Sequence, residues 1–310
     1  MSKLMKSSDT VVLAIDAGGT YFKSALINCE GEIFDDSFHQ TLVSSQGTKA
    51  RIIMAYEQII CQALDNAQAH EMNLCGIGIS TPGPFDYKRG MSLMEHKFQA
   101  IKGVSLSNEL YALGIFPDKL PVVFMHDVHA FLKGEHWTGA LQGIDNAAAI
   151  TLGTGLGFGI MKDVKILDNG KGGPCISIFN RAYKDGILED IASRRGIIAR
   201  YWQYTGNKDT DIDVSDIAEA ARKKDVKAIK VFQETGEILA GELMEILVFH
   251  DIKSLVFGGQ ISKSFDLFGP TFQEKLFALG RETQALPGRN IEFSSLKGVA
   301  WAAFCQHFIY

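Results

Sequence analysis

Cysteine is scarce and scattered: Cys29, Cys61, Cys75, Cys175 and Cys305 stand singly along 310 residues. Such spacing builds neither a disulfide framework nor a CxxC metal or redox pair, and it fits a reducing compartment. Basic charge is not in excess either. A formal net charge of -5 argues against a nucleic-acid-binding surface as the main business of the chain. Long apolar runs are also missing. The opening MSKLMKSSDT carries lysines but no apolar stretch of signal-peptide length, and no later run approaches the roughly 20 residues of a membrane span. A cytoplasmic protein without membrane or nucleic-acid partners is expected.

What is present is ordinary globular material, 46% apolar and 22% charged, in a chain long enough for two domains with real hydrophobic cores. Residues 11–16 (VVLAID) and 21–27 (YFKSALI) read as two strands of a hairpin joined by AGGT, where glycine tolerates backbone angles that other residues avoid. A further strand is expected near residues 31–38. From Lys49 to His70 the apolar positions Ile52, Tyr56, Ile59, Ile60, Ala63, Leu64 and Ala67 recur at helical spacing, which predicts an amphipathic helix. That helix feeds LCGIGIS, a run of strand length that breaks at TPGP.

The second half repeats the plan. Residues 147–161, AAAITLGTGLGFGIM, are again strand, glycine turn, strand. A helical region over about 225–250 leads into IKSLVF, which stops at GGQIS, and SSLKGVAWAAFCQHF reads as a closing helix. Architecture is duplicated although sequence is not. Helices alternating with short buried strands predict an α/β fold. No linker rich in Ser, Pro or Gly separates the halves. The plan alone puts the boundary at about residue 121, giving an N-terminal domain of 1–121 completed by 296–310 and a larger domain of 122–295.

A glycine turn has no side chains to fend off a ligand, and its successive amides can converge on phosphate oxygens. A tight turn with no ligand has the same composition, so the weight lies in finding two in matching positions. GTGLGFG at 153–159 does not open a helix within a βαβ unit, and no GxxxxGK[ST] occurs. Asp16 ends the first strand beside its turn, where a carboxylate can hold Mg²⁺ directly or through water, or can merely cap the turn. In PVVFMHDVHAFLKGEHW (residues 121–137) an apolar strand ends at His126 and Asp127 and a helix begins. Asp127 reads as a helix cap or as the base that accepts a proton from a substrate hydroxyl. His126, His129 and His136 are irregularly spaced for a metal-binding helix face; core or solvent positions account for them better.

The ordered set AIDAGGT, GISTPGPFD, HDVHAFLKGE, ITLGTGLGFG, LVFGGQIS and LKGVAWAA resembles the ROK family of bacterial sugar kinases, within the actin and hexokinase fold superfamily. The match runs from about Val11 to Ala303. This resemblance implies an α/β fold of two ribonuclease-H-like (actin-like ATPase) domains around an interdomain cleft that closes over ATP, Mg²⁺ and a sugar, in a homodimer. It implies that Asp127 is the general base. Asp16, Gly18, Gly19, Thr20 and Lys23 would belong to the first phosphate loop, Gly153, Thr154, Gly155 and Gly157 to the second, and Gly258 and Gly259 to the adenosine side. Gly83, His96, Lys97, His126, Asp127 and Glu189 would face the sugar.

Departures from the family pattern are specific. Asn usually precedes the catalytic Asp, and here it is His126. Another sugar-contacting Asn is replaced around residues 95–98 (EHKF), where His96 and Lys97 stand. Between Asn169 and Arg195 the family's Glu-x-Gly-His and CxCGxxGCxE zinc motif give way to NGKGGPCISIFNRAYKDGILEDIASRRG. Only Cys175 remains there, and structural zinc takes about four ligands, so no zinc site is expected. Glu189 aligns with the glutamate that closes the motif, although a solvated helix acid would look the same. The alternative to a kinase is a catalytically silent sugar- or nucleotide-binding regulator. Family repressors carry an N-terminal helix-turn-helix, for which the ten or so residues before the first strand leave no room. An ATPase of the chaperone or actin kind would need inserted partner-binding regions that are not found.

Overall fold

The computed structural model describes residues 9–95 and 97–309. By its contacts the chain divides into two compact units. The first comprises residues up to Thr138, Asp168–Gly173 and the segment from Phe293 onward; the second comprises Gly139–Leu167 and Pro174–Glu292.

In the first unit, β1 (Thr10–Ala17), β2 (Tyr21–Asn28), β3 (His39–Leu42), β4 (Asn73–Thr81) and β5 (Val122–His126) form a sheet in the order β3-β2-β1-β4-β5. The β1–β2 and β2–β3 pairs are antiparallel, and β4 lies parallel to both β1 and β5. β1 is apolar throughout because both of its faces are covered. Val11, Leu13 and Ile15 pack with Ile52, Tyr56, Ile59 and Ile60 of α1 (Lys49–Ala69), while Val12 and Ala14 pack with Leu296, Val299, Ala300 and Ala303 of the closing helix, Ser294–Ile309. Alternate residues of a strand point to opposite faces, so one unbroken apolar run serves two layers. The Thr48 hydroxyl caps α1 by accepting from the Arg51 amide, a donor that the first helical turn leaves unpaired. α2 (Leu106–Ala112) buries Leu106 and Leu110 in the same core as α1, and α3 (Asp127–Thr138) continues directly from β5.

No strand runs over residues 31–38. That stretch makes one isolated bridge, Ile27 with Ile33. Gly31 at φ 79° and Asp36 at φ 62° turn the chain twice within six positions, and β3 starts only at His39. The contacts also carry the first unit on to Thr138, past the boundary drawn from the plan at 121. The reason is pairing: β5 extends the sheet beside β4, from Ile77 with Val122 to Thr81 with His126.

In the second unit, β6 (Ala147–Leu152), β7 (Leu156–Lys162) and β8 (Lys165–Ile166) are followed by the helices α4 (Leu188–Ala192), α5 (Arg194–Thr205), α6 (Val214–Arg222) and α7 (Val226–Phe249). Then come β9 (Ser254–Gly258), α8 (Phe265–Ala278) and β10 (Gln284–Pro287), and the sheet order is β8-β7-β6-β9-β10. This is the order of the first sheet, strand for strand. Ala148, Ile150 and Leu152 of β6 and Leu255 and Phe257 of β9 share a core with Leu239 and Leu243 of α7 and Phe268 and Phe272 of α8. Short hairpins pair Phe85–Asp86 with Met91–Ser92 and Ala182–Tyr183 with Gly186–Ile187. Among the described residues no helix is long and apolar enough to cross a membrane.

Candidate active site

The first glycine turn joins β1 to β2, and its carbonyls are tied back. The Gly19 oxygen accepts from the Ser45 amide at 3.1 Å and the Thr20 oxygen from the Val43 amide at 2.9 Å. The Gly19 and Thr20 amides donate to no acceptor among the described residues, which leaves them available to an anion. A Cβ on Gly18 would stand 2.7 Å from the Tyr21 carbonyl oxygen, so the turn closes only with glycine there.

Asp16 stands at the base of this turn. Its Oδ1 accepts from the Ser80 hydroxyl at 3.0 Å, and Lys23 is its cross-strand partner in the β1–β2 register. Burial and the neighbouring Asp127 charge push the Asp16 carboxyl up to about 6, against the Ser80 hydrogen bond and the Lys23 charge. A carboxylate held this way is relieved by a divalent cation, which replaces the missing solvation with charge. Its oxygen chemistry fits Mg²⁺, which takes one or two carboxylates and keeps several waters.

Asp127 follows the last residue of β5, and its side chain is 43% exposed. Oδ1 accepts from the Val128 amide at 2.6 Å and lies 2.8 Å from His126 Nδ1. Oδ2 accepts no hydrogen bond among the described residues. Burial would raise this carboxyl, but His126, the Val128 amide and the Lys97 charge together hold it below the ordinary carboxylate value. The two carboxylates are therefore driven apart, Asp16 upward and Asp127 downward, and Asp127 is the one ready to take a proton at neutral pH.

Around this pair the first unit collects further groups. A Cβ on Gly83 would lie 3.5 Å from His126 Nε2 and 3.4 Å from the Tyr87 hydroxyl, and that hydroxyl donates to the Thr81 carbonyl at 3.1 Å. His129 is 2% exposed, with Nδ1 3.2 Å from the Gly172 oxygen and Nε2 without a hydrogen-bond partner among the described residues. Burial and the His126 charge bring it down to about 4. Lys97 lies along the first turn, with Cδ and Cε 3.9 Å from a Cβ on Gly19. His96 lies outside the described residues. A hollow of about 950 Å³ opens beside the turn, lined by Gly19, Thr20, Ser44, Ser45 and Arg51 among others; neither Asp16 nor Asp127 lines it.

In the second unit the turn between β6 and β7 is built alike. Gly153 donates to the Gly155 oxygen at 3.1 Å and its own oxygen accepts from Arg194 at 2.9 Å. Gly157 lies in β7, opposite Thr151, and Thr154 stands in the turn itself. Glu189 reaches this turn: Oε2 accepts from the Leu156 amide at 3.1 Å, and Oε1 pairs with Arg195 Nη2 at the same distance. The packing against Gly155 is close, because a Cβ there would lie 2.8 Å from Oε2. Gly258 ends β9 opposite Thr151. Gly259 has φ 82°, and a Cβ would lie 2.2 Å from the Leu152 oxygen, so both its backbone angle and its surroundings demand glycine. Cys175 is exposed.

The sequence reading missed Ser80, Ser45, Tyr87 and Arg195. Ser80 carried a usable signal, since it ends LCGIGIS, a run predicted to be a strand and broken at once by TPGP. The others depend on contacts that no spacing reveals.

Two glycine turns at equivalent places in two sheets of one strand order, one turn beside a split pair of carboxylates, define a duplicated α/β protein of the actin-like ATPase type. The model of the ROK family matches residues 12–285, and the chain belongs to that family. Glucokinase of Thermotoga maritima is 26% identical over 280 residues, covering 84% of this chain and 85% of that protein. Among solved structures, a ROK family glucokinase from Streptomyces griseus in complex with glucose and AMPPNP matches at a TM-score of 0.76 and 25% identity, over 95% of this chain and 99% of the other. A ROK family transcriptional regulator, a homologue of the E. coli MLC protein, matches at a TM-score of 0.83 and 20% identity, over 97% of this chain and 79% of the other.

Proposed function

We propose that the protein is an ATP-dependent sugar kinase that transfers the γ-phosphoryl group of ATP to a hydroxyl of a hexose or hexose derivative. The observation that carries this reading is Asp127, an accessible carboxylate held ionised beside a glycine turn with unpaired amides. Oδ2 takes the proton of the acceptor hydroxyl as its oxygen forms a bond to the γ-phosphorus, and the bond from that phosphorus to the bridging oxygen breaks to release ADP. Oδ1 stays fixed by Val128 and His126, which aim the carboxylate. Bound Mg²⁺ supplies charge neutralisation to the phosphate oxygens, and Asp16 is the residue that would hold it, directly or through water.

Gly19 and Thr20 cradle phosphate oxygens with their amides, Gly18 closes the turn that presents them by donating its own amide to the Asp16 carbonyl, and Lys23 balances the Asp16 charge across the hairpin. On the same reading Gly153, Thr154, Gly155 and Gly157 take the remaining phosphates and Gly258 and Gly259 the adenosine. Gly83, His96, His126 and Glu189 contact the sugar, with Glu189 also bracing the second turn. The Streptomyces griseus relative, bound to glucose and an ATP analogue, supports this class of substrate, and a homodimer is the assembly expected.

The test is ATP-coupled turnover across hexoses, amino sugars and polyols, with Asp127→Asn as the control. The parent protein should phosphorylate at least one member of the panel, and Asp127→Asn should lower kcat by about 10²- to 10⁴-fold with the fold intact. Equal rates would remove Asp127 from its role. Absence of turnover across the whole panel would favour the silent regulator, a reading that the regulator neighbour keeps in view.

A further inference from the structure

Lys97 occupies a stretch expected to touch the sugar, but its surroundings in the first unit point to the phosphate. Its stem runs along the first glycine turn, with Cδ and Cε each 3.9 Å from a Cβ on Gly19. The placement is built into the backbone. Phe98 donates its amide to the Ser45 oxygen at 2.8 Å, and Ser45 donates to the Gly19 oxygen at 3.1 Å, so the residue after Lys97 is tied to the turn through one intermediate. Phe98 is buried, adopts the left-handed region at φ 51° and packs its ring 5.8 Å from that of Phe22, just past the turn. Lys97 itself makes no ion pair among the described residues, and its ammonium is close enough to Asp127 to favour the ionised carboxylate.

Resting on the kinase reading above, we propose that Lys97 binds the γ-phosphoryl group of the nucleotide and neutralises its charge as it passes to the acceptor hydroxyl at Asp127, which makes it a catalytic residue and not a sugar contact. Phosphoryl transfer gives a protein little covalent work, so positioning and charge compensation carry most of the catalysis. The first unit offers the turn amides as neutral donors, Asp16 and Asp127 are both acidic, and the Lys23 charge is directed at Asp16 across the hairpin. A cation lying along the turn and acting on the base supplies what that set lacks. An ammonium is a compact point charge suited to phosphate oxygens. The proton of the acceptor goes to Asp127, and the electron pair of the broken bond leaves with ADP.

The experiment compares the parent protein with Lys97→Met and Lys97→Arg by titration calorimetry with Mg²⁺-AMPPNP and Mg²⁺-ADP, and by steady-state kinetics on the best sugar of the panel. Lys97→Met should weaken AMPPNP binding about tenfold or more, the scale of a charge-assisted hydrogen bond, and leave ADP binding within about twofold. Lys97→Arg should recover part of the difference. In turnover the loss should fall on kcat, with KM for the sugar unchanged. Equal effects on the two nucleotides, or a loss confined to KM for the sugar, would overturn the assignment. A parent that discriminates AMPPNP from ADP through Lys97 but phosphorylates no sugar would sink the sugar-kinase reading alone. Active turnover with discrimination unchanged in Lys97→Met would sink the Lys97 assignment alone.

Discussion

His129 has lost proton affinity because it is buried and because His126 stands 5.7 Å away, ring to ring. The Gly172 carbonyl, Asp127 and Asp168 pull the other way without prevailing. In the unfolded chain the imidazole titrates near 6.5; in the folded protein it titrates near 4. Between those values the unfolded state binds more protons, so stability rises with pH across that window and falls as pH drops from about 6.5 to about 4. The difference amounts to roughly 3 kcal/mol at about 1.4 kcal/mol for each tenfold change in proton affinity. His129→Asn should flatten this slope in urea titrations run at a series of pH values, while leaving the neutral-pH plateau limbs parallel. At this scale the site was half legible. Asp16, the two glycine turns and Asp127 stand out because each breaks an apolar run at a strand end. The position of Lys97 against Gly19, and of Glu189 against Leu156, follows from backbone ties that composition does not encode.

In the first unit α3 and the closing helix approach each other backbone to backbone. A Cβ on Gly134 would fall 1.9 Å from the Ser294 carbonyl oxygen, and one on Gly298 would fall 1.8 Å from that of Ala130. Both neighbours are backbone, so relief requires the helices to separate, and with them the β5–α3 junction that carries Asp127. Gly134→Ala should cost about 3 kcal/mol or more and lower kcat with it. Gly241, also helical but exposed on α7 with nothing within 4 Å of its Cβ position, supplies the contrast. Gly241→Ala should stabilise by about 0.5–1 kcal/mol, and equilibrium unfolding reads both. Helices as long as α1 and α7 were legible because apolar residues repeat along a buried stripe. The strand expected over 31–38 failed because pattern does not register the positive φ of Gly31 and Asp36.

Over the whole molecule the duplicated strand order was legible as a plan, since each half repeats a hairpin and then a helix feeding a strand. The division was not, because the chain changes units without any linker-like composition, near residues 138, 167, 173 and 292. The nucleotide reading makes a prediction at this scale. Mg²⁺-AMPPNP at about 100 times its Kd should add about 2.7 kcal/mol to global stability, seen as a raised thermal midpoint. Asp16→Asn should remove the Mg²⁺ dependence of that rise. Without ligand, the same variant should be more stable than the parent at neutral pH. The Asp16 carboxyl titrates near 6 in the fold against 3.8 ordinarily, so its ionisation above that range opposes folding.

The closing helix covers the face of the first sheet that holds Val12, Ala14, Ala25 and Ile27. It is also translated after the rest of both units. While the ribosome still holds the chain, that face has Ala130 of α3 against it but lacks Leu296, Val299, Ala300 and Ala303, so a nascent protein halted before Phe293 should present a greasy sheet to chaperones. Completion of the final sixteen residues of helix is then the event that shuts it.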